Sequence, residues 1–308
     1  MRLGRTQALA SASAALLIFL ACSQATDPTS GRLVVIGSES VWRAMDSEAR
    51  EFMAMYGKAV VRAVGVGSEA GLKALFEAPV GKETLLAVST RALTESEMAA
   101  ATKQGWEPRQ YRIALDGIAI IVNAANPVDE LTLGQVRRLF SGQVRNWREL
   151  GGPDLPVRVI FGKPNSATYG YLRDSLLGET GLAPETQHFD SMYRIIEEVA
   201  RDKGAIGYCS SSLLYRDWLA KPPNPEPGIR ALSLGRDSTG PFVAPDPGTV
   251  YDKSYPLVRY VYVCSRHQPK GITSGFVTFL MSSKGQQVLA RDGLAPATVK
   301  FIVKRDSE

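Results

Sequence analysis

Three short loops carry the residue types that can bind an anion through hydrogen bonds. They cover residues 37–41, 65–71 and 162–168 and are rich in serine, threonine and glycine. Each follows an apolar, β-branched run typical of a strand and leads into a segment with helical periodicity. A helix N-terminus presents unpaired backbone N–H groups, hydroxyls add donors, and glycine lets a ligand approach the backbone. The pattern favours an oxyanion site that does not depend on a metal, although ordinary turns with capping serines would look the same.

The histidine count and the missing catalytic motifs argue against an enzyme. Only His188 and His267 are present, neither in an HExxH motif, so the sequence predicts no metal site and no cofactor. Ser68 lies in GVGSEAG, where Val66 breaks the GxSxG pattern of a nucleophilic serine. No GxxxxGK[ST] phosphate loop occurs either. A hydrolase that uses Ser68 or Ser166 with a lysine base is the remaining enzyme hypothesis.

Composition and charge predict an ordinary globular chain. Its 308 residues are 44% hydrophobic, enough for one large domain or for two lobes with separate cores. The formal net charge is +5, and no basic stripe with interleaved aromatic residues occurs, so we expect no nucleic-acid partner. Cys209 and Cys264 lie in apolar, strand-like runs, where two buried thiols are expected rather than a disulfide.

The N-terminus has the layout of a secretion signal. Two arginines precede an apolar run that is too short to span a membrane as a helix, so we predict a signal peptide over residues 1–21. The sequence FLAC, ending at Cys22, resembles a bacterial lipobox. We therefore expect lipidation of Cys22, a lipidated tether over residues 22–31, and contact with the membrane through the lipid only. The alternative is ordinary secretion, with a cysteine that merely lies near the cleavage site.

Strands and helices alternate along most of the chain, which predicts an α/β fold with largely parallel sheets. The predicted strands are residues 32–36, 60–64, 85–88, 118–122, 157–161, 205–208 and 255–264. Four predicted helices have both ends defined: residues 42–56, 169–177, 192–200 and 276–289, the last with a break near Gly285. A further helix follows the loop at 65–71 and runs through Phe76, and two more begin at the capping residues Thr94 and Thr132. Turn-rich loops are predicted at residues 221–228 and 241–248.

The segment over residues 113–152 connects this pattern to a known family. It contains DGIAIIVN, NP, LTLGQ, LFSG, NW and LGG in that order, and Thr132 with Gln135 has the spacing of a capping box. The segment resembles the one by which phosphate-binding proteins of ABC phosphate importers pass from one lobe to the other. Three later segments resemble the family in order and spacing: KGAIGY (203–208), YPLVRYVYV (255–263) and SSKGQQVLARDGLAP (282–296).

The resemblance implies a two-lobed, type II periplasmic-binding-protein-like fold, with mostly parallel sheets flanked by helices and two crossing hinge strands. Residues 32–112 plus 249–308 would form lobe I, and residues 113–248 would form lobe II. The ligand would lie in the cleft between the lobes. Hinge closure would be favoured because the anion bridges both lobes.

By the same resemblance, the three loops supply the ligand-binding residues. These are Ser40 and the amide of Val41 from the first loop, Ser68 from the second, and Ser166, Ala167 and Thr168 from the third.

Two charged family residues are missing. The family's loop arginine aligns with Gly162, and Lys163 is the candidate to supply the charge, without the bidentate geometry of arginine. The family's aspartate, which accepts the proton of hydrogen phosphate, aligns with Leu85. Glu39 or Glu69 could take that role, or both could be solvated acids at helix starts.

The resemblance therefore implies an extracytoplasmic, monomeric protein that captures inorganic phosphate or a related oxyanion and delivers it to ABC permease subunits. The changes at Gly162 and Leu85 keep a second hypothesis open. It is an anion sensor or surface binding module with the same fold and no permease partner.

Overall fold

The computed structural model describes residues 27–77, 84–217 and 228–298. The predicted signal peptide, Cys22 and nearly all of the predicted loop at 221–228 lie outside the described residues. No helix within the described ranges has both the length and the apolar character needed to cross a membrane.

Strands and helices alternate as the sequence predicts. The strands are β1 (Ser30–Gly37), β2 (Lys58–Gly65), β3 (Thr84–Ser89), β4 (Arg109–Asn123), β5 (Glu130–Thr132), β6 (Arg158–Gly162), β7 (Gln187–Phe189), β8 (Ala205–Ser210), β9 (Ile229–Ala231), β10 (Ser233–Gly235), β11 (Val258–Ser265) and β12 (Ala295–Pro296). The helices are α1 (Trp42–Met55), α2 (Ser68–Glu77), α3 (Glu95–Lys103), α4 (Leu133–Phe140), α5 (Ala167–Leu172), α6 (Met192–Arg201), α7 (Pro247–Tyr251), α8 (Ile272–Met281) and α9 (Ser283–Arg291).

One mixed sheet of ten strands connects the described parts of the molecule. Its order is β2-β1-β3-β11-β4-β8-β6-β7, and β9 and β12 also pair with β4. β1 is parallel to β2 and β3, and β6 is parallel to β7 and β8. β4 and β11 are antiparallel to each other and to their neighbours β8 and β3. The two parallel sets therefore lie on either side of two long antiparallel strands.

β4 is the strand that links the two parallel sets. It has 15 residues and extends well beyond the predicted run at 118–122. Residues 109–117 pair with β11, whereas residues 118–122 pair with β8. The first part of β4 was not predicted because Arg112 and Asp116 interrupt its apolar pattern.

The hydrophobic residues form two main cores, one at each end of this linking strand. The first joins β1, β2, β3 and α1 with α8 and the start of β4. The second joins the end of β4 with α4, β6, α6 and β8. Two cores are what a two-lobed chain requires, while the lobe boundaries at residues 112 and 248 stay predictions.

Several local predictions are confirmed. The capping boxes form, with Thr94 and Glu97 at the start of α3 and Thr132 and Gln135 at the start of α4. Cys209 and Cys264 are buried thiols, as predicted, and burial raises the pKa of the Cys264 thiol to about 12.

The predicted helix over residues 276–289 differs from the observed structure. It begins earlier, at Ile272, and is two helices that meet at Ser282, so the predicted break exists but lies before Gly285. The Ser282 hydroxyl accepts a hydrogen bond of 3.2 Å from the Gly285 N–H and caps α9. A Cβ at Gly285 would lie 2.2 Å from the Phe279 carbonyl oxygen, so the glycine serves the close packing of the two helices.

Two other segments also differ from the prediction. The predicted helix at 169–177 consists of α5 followed by a π-helix over Arg173–Leu177. The predicted loop at 241–248 ends in α7, which Asp246 caps by accepting from the N–H groups of Gly248 and Thr249.

Candidate anion-binding site

The three predicted loops meet around one cavity of about 200 Å³. The N-terminus of α6 forms another part of its wall, through Asp190 and Ser191. The predicted ligand residues that line the cavity are Ser40, Ser68, Lys163, Ser166, Ala167 and Thr168. The Val41 side chain is only 1% exposed and packs in the first core, so a ligand could reach only its backbone amide. That contact stays a prediction.

The first two loops are held together by glycines. Gly37 has a φ of +148°, and a Cβ there would lie 2.0 Å from the Val88 carbonyl oxygen. A Cβ at Gly71 would lie 2.4 Å from the Gly37 Cα. A side chain at Gly37 would push the first loop away from β3, and one at Gly71 would push the second loop away from the first. The two glycines therefore help to bring Ser40 and Ser68 to the same cavity.

The serine of the second loop is fixed by the end of β3. Ser68 is 4% exposed, and its Oγ accepts a hydrogen bond of 3.1 Å from the Thr90 N–H. The hydroxyls of Ser68 and Thr90 are 3.3 Å apart, and both residues line the cavity.

The third loop places its hydroxyls at the start of α5. Ser166 caps this helix by accepting a hydrogen bond of 3.1 Å from the Tyr169 N–H. Ala167 is the first helical residue, and Thr168 is largely buried beside it. The Lys163 ammonium lies 3.7 Å from the Asp190 carboxylate on a side chain that is 56% exposed. Its charge is therefore at the cavity rim and in water.

Tyr208 explains why residue 162 has no side chain. The Gly162 N–H donates a hydrogen bond of 3.1 Å to the Tyr208 hydroxyl, and a Cβ at Gly162 would lie 2.4 Å from that oxygen. Burial raises the pKa of Tyr208 to about 12, so the phenol keeps its proton. The space that a loop arginine would need is filled by tyrosine.

Leu85, the position aligned with the family's aspartate, lies away from the cavity. It lies near the start of β3 and borders a separate pocket with Leu75 and His267. β3 runs parallel to β1, so its carboxyl end faces the ligand-binding loops. The residue at that end is Thr90, whose hydroxyl can accept or donate a hydrogen bond.

The two candidate acids differ in their surroundings. Both carboxylate oxygens of Glu69 accept hydrogen bonds of 2.6 Å from Arg91, which also binds Glu97. Glu39 lines the cavity, where burial raises its pKa, the Ser191 hydroxyl lowers it and Asp190 raises it. Of these two, Glu39 is thus the acid that remains available to a ligand.

The sequence reasoning missed a buried ion pair behind the loops. Arg259 of β11 and Asp116 of β4 have side chains that are 2% and 0% exposed. The guanidinium donates to Asp116 Oδ2 from Nε at 3.1 Å and from Nη2 at 2.8 Å. Asp116 Oδ1 accepts a 2.5 Å hydrogen bond from the Ser210 hydroxyl. Burial raises the pKa of Asp116, while Arg259 and Ser210 act to lower it.

The same arginine contacts a predicted ligand residue on each side of the cavity. Nη2 donates to Ser40 Oγ at 3.1 Å, and Nη1 donates to Thr168 Oγ1 at 2.8 Å. The sequence did contain a signal for this pair: one apolar strand carries a single acid and another carries a single base. Buried charges in proteins are normally paired, so these two residues could have been matched.

Metal chemistry finds no support in the described ranges. They contain no group of three or more His, Cys, Asp or Glu side chains placed to hold a metal ion.

Comparison with known proteins gives a consistent family. A model of the PBP superfamily domain matches residues 23–284. The phosphate-binding protein PstS of Pseudomonas aeruginosa is 26% identical over 97% of this chain and 93% of its own length. Protein SphX of Synechococcus elongatus is 27% identical over 86% of this chain and 77% of its own.

Solved structures agree. A substrate-binding protein from Clostridium perfringens with bound phosphate superposes with a TM-score of 0.74 at 26% identity, covering 87% of this chain and all of that one. The predicted resemblance to phosphate-binding proteins of ABC importers, the two-lobed type II fold and the absence of an enzymatic role in the family are confirmed. With a family match that covers most of its length, the chain belongs to the PBP superfamily.

Proposed function

We propose that this protein captures inorganic phosphate in the cavity between its two lobes and passes it to an ABC importer. The observation that carries the proposal is the hydrogen-bonding state of the cavity hydroxyls. Ser68 and Ser166 each accept a bond from a backbone N–H, and Ser40 and Thr168 each accept one from Arg259.

A hydroxyl has one hydrogen to donate and two lone pairs to accept with. Since protein donors already occupy a lone pair on these four oxygens, each hydroxyl hydrogen can be donated to a ligand. The cavity therefore offers donors from all three loops, which suits a tetrahedral oxyanion. Glu39 supplies an acceptor for the hydrogen of a partly protonated anion such as hydrogen phosphate.

The relatives support the choice of phosphate. PstS of Pseudomonas aeruginosa and PstS of Bacillus subtilis are named phosphate-binding proteins, and the Clostridium perfringens structure contains phosphate. The lobes that close on the ligand would be residues 32–112 plus 249–308 and residues 113–248. The ligand would bind the closed form better than the open form because it contacts both lobes only in the closed form.

The proposed cellular context follows from the same relatives and from the N-terminal sequence. The protein would act outside the cytoplasm as a monomer, anchored by a lipid on Cys22, with ABC permease subunits as partners. If Cys22 carries the lipid, the wild-type protein should become labelled in cells grown with radioactive palmitate. The Cys22→Ser variant should not be labelled.

Calorimetric titration of residues 23–308 tests the ligand. We expect phosphate to bind in a phosphate-free buffer and sulfate and molybdate to bind more weakly. Binding of molybdate or sulfate with no response to phosphate would reject phosphate and leave an oxyanion site. Loss of phosphate uptake in a deletion strain would support delivery to a permease, whereas normal uptake would favour an anion sensor.

A further inference from the structure

The cavity needs a positive charge, and its rim does not provide an available one. The charged side chains that line it are Glu39, Glu69, Lys163 and Asp190. Lys163 is mostly exposed and lies near Asp190, so water and a carboxylate already screen its charge. Binding a divalent anion beside three carboxyl groups would be opposed unless a buried cation contributes.

Arg91, at the edge of the site, cannot supply this charge. Its guanidinium forms hydrogen bonds of 2.6 Å to both oxygens of Glu69 and of 2.8 Å to both oxygens of Glu97. Those two carboxylates satisfy Arg91 and outweigh its charge.

We propose that Arg259 is the cationic anion-binding residue of this protein and acts from a crossing strand instead of from a loop. This inference rests on the proposed function. Asp116 occupies the edge of the guanidinium formed by Nε and Nη2, and Nη1 points to Thr168. A guanidinium has five N–H donors, and the four hydrogen bonds of Arg259 leave one on Nη1.

The position of Arg259 relative to the ligand residues supports this role. Its guanidinium contacts Ser40 of the first loop and Thr168 of the third, both of which line the cavity. Arg259 also lines a wider groove of about 890 Å³ that shares Thr90, Ser166 and Ala167 with the cavity. It therefore lies between the first and third loops.

Tyr208 and Gly162 provide an independent reason. The Tyr208 hydroxyl blocks a side chain at residue 162, so the third loop cannot carry an arginine there. Arg259 is instead anchored on β11, and its guanidinium reaches the hydroxyls of Ser40 and Thr168. Asp116 is then a positioning residue that holds the guanidinium plane.

The test compares phosphate affinity between charge variants of matched stability. Arg259→Met alone would leave Asp116 buried and unpaired, so the main variant is the double substitution Arg259→Met with Asp116→Asn, which removes both charges together. We expect it to fold, as judged by circular dichroism and thermal unfolding, and to raise the Kd for phosphate by at least about 100-fold. Asp116→Asn alone keeps the arginine and should retain binding within about 10-fold of wild type.

Two further variants complete the design. Arg158→Met removes a surface arginine that pairs with Asp202 at 2.7 Å and should leave the Kd unchanged. Lys163→Met tests the competing cation. A folded double variant that binds within about 3-fold of wild type, or a larger loss for Lys163→Met than for the double variant, would overturn the proposal. Failure of the wild type to bind any oxyanion would instead reject the proposed function.

Discussion

Ser68 and Ser166 each combine a structural contact with a cavity-facing hydroxyl. Ser68 holds the end of β3 through the Thr90 N–H, and Ser166 caps α5 through the Tyr169 N–H. These bonds fix both oxygens before a ligand arrives, which lowers the ordering cost of binding.

Ser68→Ala and Ser166→Ala should each weaken phosphate binding by about 1–3 kcal/mol, because a buried anion would lose a hydrogen bond. Ser166→Ala should also cost about 1 kcal/mol of folding stability through loss of the cap. Calorimetry and urea unfolding measure the two effects. Ser141→Ala is the control, since that hydroxyl bonds the Arg138 carbonyl outside the cavity. Unchanged affinity in both serine variants would argue against the hydroxyl site.

Gly162 and Tyr208 should behave as a coupled pair. Gly162→Ala brings a methyl group against the tyrosine hydroxyl and should destabilise the protein by about 1–3 kcal/mol. Tyr208→Phe removes that oxygen but leaves the Gly162 N–H without this acceptor, at a cost of about 1 kcal/mol. The double variant should lose less than the sum of the two changes. Strict additivity of the two free-energy changes in a double-mutant cycle would show that residues 162 and 208 do not interact energetically.

At the scale of elements, the packing of α1 against α9 buries two acids. Glu48 of α1 is 0% exposed, and burial together with Asp292 at the end of α9 raises its pKa to about 10. Burial likewise raises the pKa of Asp292, which lies 3.4 Å from Arg216. The folded protein therefore keeps a proton on Glu48 at neutral pH, whereas the unfolded chain releases it.

Folding stability should fall as pH rises from the unfolded pKa of Glu48 toward about 10, because the folded state binds the extra proton over that range. Glu48→Gln should flatten this slope and stabilise the protein at neutral pH by more than about 1 kcal/mol. Urea unfolding at pH 5, 7 and 9 measures the slope. Glu51→Gln, on the same helix but partly exposed, is the control and should keep the wild-type slope. Identical slopes in wild type and Glu48→Gln would contradict the buried, protonated carboxyl.

For the whole molecule, the continuous sheet ties both cores to β4 and β11. Shared strands make independent unfolding of either core costly, so a single cooperative transition is expected. Phosphate at about 100 times its Kd should stabilise the folded state by about 2.7 kcal/mol and shift the whole transition upward. Scanning calorimetry with and without phosphate checks this. Two separate transitions, only one of them shifted, would show that the cores unfold independently.

Local patterns in the sequence predicted most of the elements and the three loops. The three loops were found because each follows a strand and opens a helix, and those signals lie within a few residues. The choice of Ser40, Ser68 and Thr168 within them came from the family resemblance. The break was predicted near Gly285 and not at Ser282 because a glycine was taken as the helix break, although Gly285 serves the close packing of α9 against α8.

The remaining features of the site depend on contacts between distant residues. Arg259 and Asp116 are 143 positions apart, and their pairing follows only from the antiparallel register of β11 and β4. The reason for a glycine at position 162 is its contact with Tyr208, which comes from another strand. Alignment placed the family's aspartate at Leu85, but strand direction brings Thr90 to the cavity. Such tertiary relations leave no periodic signal in one sequence.

The long β4 strand has a consequence for isotope exchange. Residues 113–123 are buried, and their strand is paired with β11 and β12 in its first part and with β8 and β9 in its second. Their amide hydrogens should be among the slowest in the protein to exchange with deuterium, and protection should continue without a step past Gly117 and Ile118. A sharp drop in protection at that point would mean that the two halves open separately, so mass spectrometry of peptides across it would locate the hinge directly.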